Sequence, residues 1–522
     1  MKKIFLALGM AVLFSACDNF LSVTPPRYIT DDNMAGEGGE LTPSYYLGAY
    51  YSLTDWFISY AYPGYKSIQL ASDALGQDVV GSDGIYGGVT REYKYLSTDN
   101  FTSSVPRRFW QYYFKSIATC NNGIQRFETA AYESHSEESK ITYAQLLALR
   151  SFAYLDVVRF WQASYEQAAD LDVAPIYEKI VDAETGREGM PLSTVAEVYD
   201  FLIDGLERSV NIFEEVDYNR SSKAMINKNV AAGILARAYL TRGTKADGSG
   251  VKADMDKAAK YARMAQEGMS LMKPAEFLAG FNEDSNSEWM LDLPQSADNS
   301  SMSYIFHYMD TRSNDGRAYY KSALPDPYFR DLFDYGDGFD TSDVRFQLFE
   351  EPDSLGAPRV QNALKYPKFR FRDSEPTGDI VYMRVAEMYL IEAEAVLRGG
   401  QAERPALEII NELRAARDAS QVSTVDVDFV LKERRRELWG EGEAGIFDIN
   451  RTQATVHRKV IDQKDFEDYL GMVKDSVLTR GHHILSYPDR SPVGKSSHYH
   501  FFQIPEQEVL NNPMVEGQLP RL

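Results

Sequence analysis

Apolar residues recur at helical spacing through most of the chain, and the clearest run lies between positions 379 and 451. Its first segment, Tyr382–Leu397, places apolar side chains every three or four residues and charged ones on the opposite side. Gly399-Gly400 ends this pattern, and Pro405 stands near the start of the next one. The pattern predicts one helix with a single buried stripe, followed by a short second helix that packs against it.

A third helix is predicted after a polar turn, and it carries an unusual density of charge. Its apolar positions begin at Val427 and end at Trp439, and the run Glu433–Glu437 lies between them with five consecutive charged residues. Because so many charges cannot all face water on one helix that also has an apolar stripe, we expect them to have ionic partners.

Helical patterns come in pairs elsewhere, and such pairs resemble tetratricopeptide units, which bury a continuous core by stacking. We therefore predict a mainly α fold with a helical-repeat scaffold at about 105–271 and 379–442. The predicted pairs are Val105–Ala131 with Ile141–Phe160, Val195–Phe213 with Asn229–Arg242, Met255–Leu271 with the helix that includes Tyr382, and the two helices after Pro405.

Two long regions without helical periodicity, 60–104 and 274–377, interrupt the scaffold. Loops of that length within one domain are uncommon and usually functional. Both are rich in aromatic and acidic residues, a mixture that suits a carbohydrate, whose C–H faces stack on rings and whose hydroxyls need polar partners. We expect the two regions to converge over the scaffold. The expected ligand-binding residues are Tyr62, Asp78, Asp83, Tyr86, Trp289, Tyr319 and Tyr320.

Trp289 is the first choice for a stacking platform, because it follows the acidic, loop-like stretch 283–288. The alternative is that the apolar residues after it form a buried strand that carries Trp289 into the core.

The N-terminus predicts export. Two lysines precede a short apolar run, Ile4–Phe14, which is typical of a signal peptide, and the segment ends in Leu-Phe-Ser-Ala-Cys at 13–17. That ending resembles a bacterial lipobox and predicts cleavage after residue 16 and lipidation of Cys17. The second cysteine, Cys120, then has no disulfide partner, and we expect a buried, inert thiol.

The charge of the chain and the spacing of its motifs argue against a nucleic-acid partner, a phosphate-binding loop and a metal site. A formal net charge of −22 argues against nucleic acid as a partner. Val493–Ser496 resembles the end of a phosphate-binding loop, but the required earlier glycine is Asp489. His482, His483, His498 and His500 lack metal-site spacing, and the acids at 334–343 lack the calcium-loop pattern. We expect no catalytic residues, no metal and no cofactor.

Several segments together resemble the SusD/RagB family of outer-membrane nutrient-binding lipoproteins of Bacteroidota. These segments are ERRRELWGEG at 433–442 followed by Phe447-Asp448 and Arg451, MRVAEMYLIEAEA at 383–395, Leu149–Arg159, Phe501–Pro513, and Asp18–Pro25 after the lipobox. One departure is that four residues separate Gly442 from Phe447, where the family pattern has three.

The resemblance implies a single SusD-like domain at 17–522 after the signal peptide at 1–16, anchored by lipid on the outside of the outer membrane. It implies capture of a glycan or oligosaccharide and delivery to a SusC-like TonB-dependent transporter. Three alternatives stay open: peptide capture, as in RagB-like members, a surface glycosidase, and a purely structural helical scaffold.

Overall fold

The computed structural model describes residues 39–54, 62–81, 90–296, 301–312, 320, 322–350, 364–372, 376–460, 481–495 and 497–519. The predicted signal peptide at 1–16 and Cys17 lie outside the described residues, as do three expected ligand-binding residues, Asp83, Tyr86 and Tyr319. In the described part of the chain, no helix is both long and apolar enough to cross a bilayer.

The protein is mainly α-helical. The helices are α1 (Pro43–Thr54), α2 (Gly64–Leu75), α3 (Thr90–Tyr93), α4 (Ser104–Phe127), α5 (Glu137–Trp161), α6 (Tyr165–Ala168), α7 (Thr185–Glu188), α8 (Val195–Glu215), α9 (Lys228–Gly243), α10 (Lys252–Gln266), α11 (Pro274–Phe277), α12 (Phe306–Met309), α13 (Val385–Leu397), α14 (Ala406–Ala415), α15 (Val427–Leu438), α16 (Asp448–Thr452) and α17 (Glu506–Asn511). Short 3₁₀ turns occupy Tyr132–Ser134, Ser301–Ile305, Pro327–Phe333, Phe346–Leu348 and His498–His500.

Local capping residues explain where the long helices begin and end. Ser136 caps α5 by accepting a hydrogen bond from the Ser139 N–H at 3.3 Å. Thr194 and Glu197 form a reciprocal capping box at the start of α8. Gly399 ends α13 with a φ of +101°, a conformation that favours glycine, as the sequence predicted.

The helices pack in chain order, so that each long helix covers the one before it. α4 packs on α5, α5 on α8, α8 on α9, α9 on α10, and α10 on α13, while both α14 and α15 pack on α13. Helix α5 is buried around almost its whole circumference, which is typical of a central core helix. Cys120 of α4 is fully buried, as expected, and burial raises the pKa of its thiol to about 12.

In the part of the chain that the structure describes, six short strands form three two-stranded antiparallel sheets. They are β1 (Val79–Gly81) with β5 (Ala323–Pro325), β2 (Asp172–Ala174) with β3 (Ser193–Thr194), and β4 (Trp289–Leu293) with β6 (Ile380–Arg384). The prediction that Tyr382 belongs to the helix was wrong, because residues 380–384 extend and pair with β4, and the helix begins only at Val385. The β-branched Ile380 and Val381 favour that extended form.

The dense charge of α15 lies in the core, where it has the ionic partners that the sequence predicted. We define the buried ion-pair cluster as Arg345, Arg384, Arg417, Glu288, Glu437 and Glu441. The Glu437 carboxylate accepts hydrogen bonds from Arg384 at 2.8 Å, Arg417 at 2.9 Å and Arg345 at 3.1 Å. Because these residues come from five separate stretches of chain, the cluster fastens the second loop-rich region to the scaffold.

Neighbouring positive charges lower the pKa values of two carboxylates of this cluster, Glu437 and Glu441, despite their burial. Burial alone would raise the pKa of Glu441, but the positive charges of Arg384 and Lys368 lower it to about 2. The same balance holds the pKa of Glu437 well below its usual range, through Arg417, Arg384 and Arg345.

The four residues between Gly442 and Phe447 form a turn that is kinked at Gly445, whose φ of −80° and ψ of −133° are not helical. Gly442 has a φ of +85°, and a side chain there would meet the backbone of Gln69 at 2.7 Å, so the turn packs directly on α2.

Candidate functional site

The two loop-rich regions meet, and a strand pair joins them. Strand β1 of the first region pairs with β5 of the second, with Val80 opposite Leu324. The Asp326 N–H donates to the Asp78 carbonyl oxygen at 3.0 Å and extends this pairing by one step. The expected convergence of the two regions over the scaffold is therefore present in the structure.

A group of aromatic side chains lies in the second region, close to this junction. We define the aromatic cluster as Tyr304, His307, Tyr308 and Tyr320. The Tyr304 ring lies 4.6 Å from His307 and 6.0 Å from Tyr320, and Tyr320 stacks on Tyr308 at 5.2 Å. Tyr308 is buried, whereas the other three rings are half-buried and keep part of their surface in solvent.

Local structure fixes these rings in place. The 3₁₀ turn Ser301–Ile305 runs directly into α12, so Tyr304, His307 and Tyr308 fall on one side at helical spacing. The Tyr304 and Tyr320 hydroxyls are 3.1 Å apart, and the Tyr320 N–H donates to the His307 carbonyl oxygen at 3.0 Å. The cluster therefore presents rings and hydroxyls at fixed spacing.

Tyr62 of the first region lies on the buried side of this cluster. Its ring packs edge-on against Phe109 at 6.1 Å, and its hydroxyl hydrogen-bonds Glu92. Burial, and then the charge of Glu92, raise the pKa of Tyr62 well above its usual value, and Tyr308 adds to that effect. Tyr62 thus packs at the start of α4, and with only 6% of its surface exposed it offers a ligand little contact area, which corrects its expected role.

The Asp78 carboxylate is bound by a residue of the scaffold. Both of its oxygens accept hydrogen bonds from Arg435 of α15, at 2.8 and 2.5 Å. The Asp78 carbonyl oxygen also accepts from the Trp439 indole at 3.0 Å. Asp78 therefore fastens the first loop-rich region to α15, and the expectation of a carboxylate free for a ligand is corrected.

Trp289 is the clearest correction to the expected site. It is the first residue of β4, it pairs with Arg384 of β6, and none of its surface is exposed. The run Met290–Leu293 is buried as well, so Trp289 belongs to a buried strand, which is the alternative the sequence left open. A ring with no exposed face cannot stack on a glycan.

Of the expected ligand-binding residues, Tyr320 is the one that the structure places half-exposed in the aromatic cluster. The list of expected residues lacked Tyr304 and His307. The sequence did contain a signal for these two residues, because positions 304, 307 and 308 have helical spacing within a region that was predicted to be a loop. In the described residues, no group of three or more His, Cys, Asp or Glu side chains is placed to hold a metal ion.

Comparisons with known proteins agree with the fold. A model described as SusD family matches residues 358–520, and one described as starch-binding associating with outer membrane matches residues 51–240. The crystal structure of a SusD-like carbohydrate binding protein from Bacteroides vulgatus is 32% identical, covers 91% of this chain and 96% of that chain, and has a TM-score of 0.77. This chain belongs to the SusD/RagB family.

Two more distant relatives extend the comparison of this SusD/RagB protein. SusD-like protein P38 of Formosa agariphila is 22% identical over 401 residues, which is 69% of this chain and 75% of that protein. A laminarin binding SusD-like protein is 18% identical, covers 91% of this chain and 98% of that chain, and has a TM-score of 0.62. In this SusD/RagB protein the matched segment 358–520 contains Arg384, Arg417 and Glu437, so the family match includes much of the buried ion-pair cluster.

Proposed function

We propose that this protein captures a glycan or oligosaccharide at the cell surface through its aromatic cluster. The observation that carries the proposal is the set of three half-exposed rings, Tyr304, His307 and Tyr320, with Tyr320 fixed against Tyr308 beside the junction of the two loop-rich regions. The similarity to SusD-like carbohydrate binding and laminarin binding proteins supports it.

The chemistry of the cluster suits a sugar. Ring faces stack on sugar C–H groups, and each contact adds about 0.5–1.5 kcal/mol beyond the area it buries. Phenol hydroxyls and the imidazole can each donate to or accept from sugar hydroxyls. Because only a few such contacts act together on an open surface, we expect affinities in roughly the micromolar to millimolar range. That range suits capture followed by release.

The proposed mechanism is binding and hand-over, and no bond in the glycan is broken. A SusC-like TonB-dependent transporter is the proposed receiver of the glycan, with this protein as its lid. The buried ion-pair cluster keeps the scaffold rigid. The aromatic cluster provides the contacts that form when the glycan binds and break when it is released.

Tyr304→Ala should weaken glycan binding about 3- to 10-fold, because one stacking ring and one hydroxyl are removed. Native gels with laminarin, starch, xylan and mannan would first identify a retarding polysaccharide, and calorimetry would then compare the variants. Tyr165→Ala is the matched control, since Tyr165 is also half-buried, packs edge-on against Tyr199 at 5.3 Å, and belongs to the scaffold.

Two results would contradict this proposal. If Tyr304→Ala and Tyr320→Ala both leave glycan affinity unchanged, the aromatic cluster is not the binding site. Release of new reducing ends during incubation would instead support a surface glycosidase.

Lipid anchoring at Cys17 is the second part of the proposal. Cys17→Ala should remove the acylation site and leave the protein soluble in the periplasm without palmitate, because the lipid would be attached to that cysteine. Palmitate labelling and membrane fractionation would measure this, with Cys120→Ala as the control because Cys120 is buried. Palmitate that is still incorporated into the Cys17→Ala variant would refute the anchor.

A further inference from the structure

An open cavity lies at the C-terminal end of α4, away from the aromatic cluster. We define the α4–α8 pocket by the residues around it, and its volume is about 410 Å³. That volume is in the range of small-ligand sites. The lining residues are Phe127, Glu128, Ala130, Tyr132, Tyr143, Arg208, Asn211, Ile212 and Glu215.

The floor of the pocket is apolar and rigid. Phe127 is stacked between Tyr143 at 4.1 Å and His135 at 3.8 Å, and Ile212 is buried beside it. Tyr132 meets Phe127 edge-on at 6.1 Å. Since both faces of Phe127 are already covered, its ring can present only its edge to the pocket.

The rim holds two carboxylates that are oriented in advance by phenols. The Tyr143 hydroxyl donates to Glu128 Oε1 at 2.7 Å, and the Tyr132 hydroxyl donates to Glu215 Oε2 at 2.8 Å. Burial and the bond to Glu215 raise the pKa of Tyr132 to about 12, so this phenol stays a donor at neutral pH. The remaining oxygen of each carboxylate accepts no hydrogen bond from the described residues.

Two further rim groups add donors. Arg208 donates to the Tyr143 hydroxyl and lies 3.4 Å from Glu128 Oε1, which holds its guanidinium at the mouth of the pocket. The amide of Asn211 is exposed on the next turn of α8 and makes no hydrogen bond within the described parts of the chain. Acceptors and donors thus surround one apolar floor.

We propose that the α4–α8 pocket is a second saccharide-binding site that takes one neutral sugar unit. Glu128 and Glu215 would repel an anion. Glu128 already pairs with Arg208, so a cation would find only Glu215 as a charge partner and would leave the apolar floor uncovered. An apolar ligand would leave the carboxylates without hydrogen-bond donors. A neutral sugar satisfies the rim, because its hydroxyls donate to carboxylates and accept from Arg208 and Asn211.

The pocket is separate from the aromatic cluster. Arg108, near the start of α4, lies over the Tyr62 ring at 5.9 Å, whereas Glu128 directly follows the last residue of α4. At a rise of 1.5 Å per residue, these two positions are roughly 30 Å apart. The proposal therefore does not rest on the aromatic cluster, although one long glycan could contact both sites and gain affinity from doing so.

The test uses the mature protein with Tyr304→Ala and Tyr320→Ala as background, which removes the first site. Saturation-transfer NMR with oligosaccharides of glucose, mannose, galactose and xylose should show residual binding. Adding Glu215→Ala or Asn211→Ala should weaken that residual binding roughly 5- to 20-fold, because hydrogen bonds to fixed polar groups are lost. Glu214→Ala is the matched control, since Glu214 is exposed on the same helix but does not line the pocket.

Each outcome either supports or overturns the proposal that the α4–α8 pocket binds a sugar. Residual binding that falls with Glu215→Ala and Asn211→Ala but not with Glu214→Ala supports the pocket, even if the Tyr304 and Tyr320 substitutions have no effect of their own. No residual binding of any neutral probe, or residual binding unchanged in both pocket variants, overturns it. Binding of glucosamine but of no neutral sugar would also overturn it. Glu215 and Asn211 are exposed, so an unchanged melting temperature should confirm that the variants fold.

Discussion

Glu437→Gln is expected to lower the free energy of unfolding by about 3–5 kcal/mol, the range for breaking a buried ion pair. The substitution keeps the shape of the side chain but removes its charge, and it leaves Arg345, Arg384 and Arg417 with less negative charge in a site that has no exposure to water. Urea unfolding followed by circular dichroism would measure the loss.

Glu408→Gln is the control for this variant, because Glu408 lies exposed on α14 and its replacement should change stability little. The pH dependence gives a second check. The pKa of Glu437 is lowered on folding, so its contribution is complete above the unfolded value of about 4.5 and is lost as the pH falls below that value. The difference between wild type and variant should therefore shrink at pH 3. Equal stability of the two proteins at pH 7 would contradict a structural role for the cluster.

The run Glu433–Glu437 explains how one short helix organises both loop-rich regions. Arg435 faces outward from the cluster and binds Asp78 of the first region, while Glu437 faces inward and binds Arg345 of the second. Sequence alone could predict that these charges need partners. It could not predict which partners, because Asp78 and Arg345 are remote in the chain and only the fold brings them to α15.

Local patterns can be predicted from the sequence, whereas contacts between remote residues cannot, and this difference applies to the whole structure. Helix positions follow from a local period, so most of the scaffold was predictable from its apolar stripes. The apolar residues after Trp289 indicated a possible buried strand, but the sequence could not show that Trp289 belongs to it, since the partner strand β6 lies far along the chain. The spacing of Tyr304 and His307 was a usable signal, but the surrounding loop-like composition outweighed it.

The correction at Trp289 leads to the second large expected effect. Trp289→Ala should lower the free energy of unfolding by about 3–5 kcal/mol, because a fully buried indole is replaced by a cavity. For a chain of 522 residues this corresponds to a fall of about 3–5 °C in melting temperature. Glycan affinity should stay unchanged, since the ring has no exposed face.

Trp289→Phe serves as the matched variant, because it keeps an aromatic ring in the same space and should cost less stability than alanine. Calorimetry with the retarding polysaccharide, run beside thermal melting for both variants, separates a core role from a binding role. If Trp289 is a core residue, the alanine variant should lose more stability than the phenylalanine variant, and both should bind the glycan with the same affinity as wild type. If Trp289→Ala instead abolishes glycan binding at an unchanged melting temperature, Trp289 belongs to the binding site after all, and β4 must open when the ligand binds.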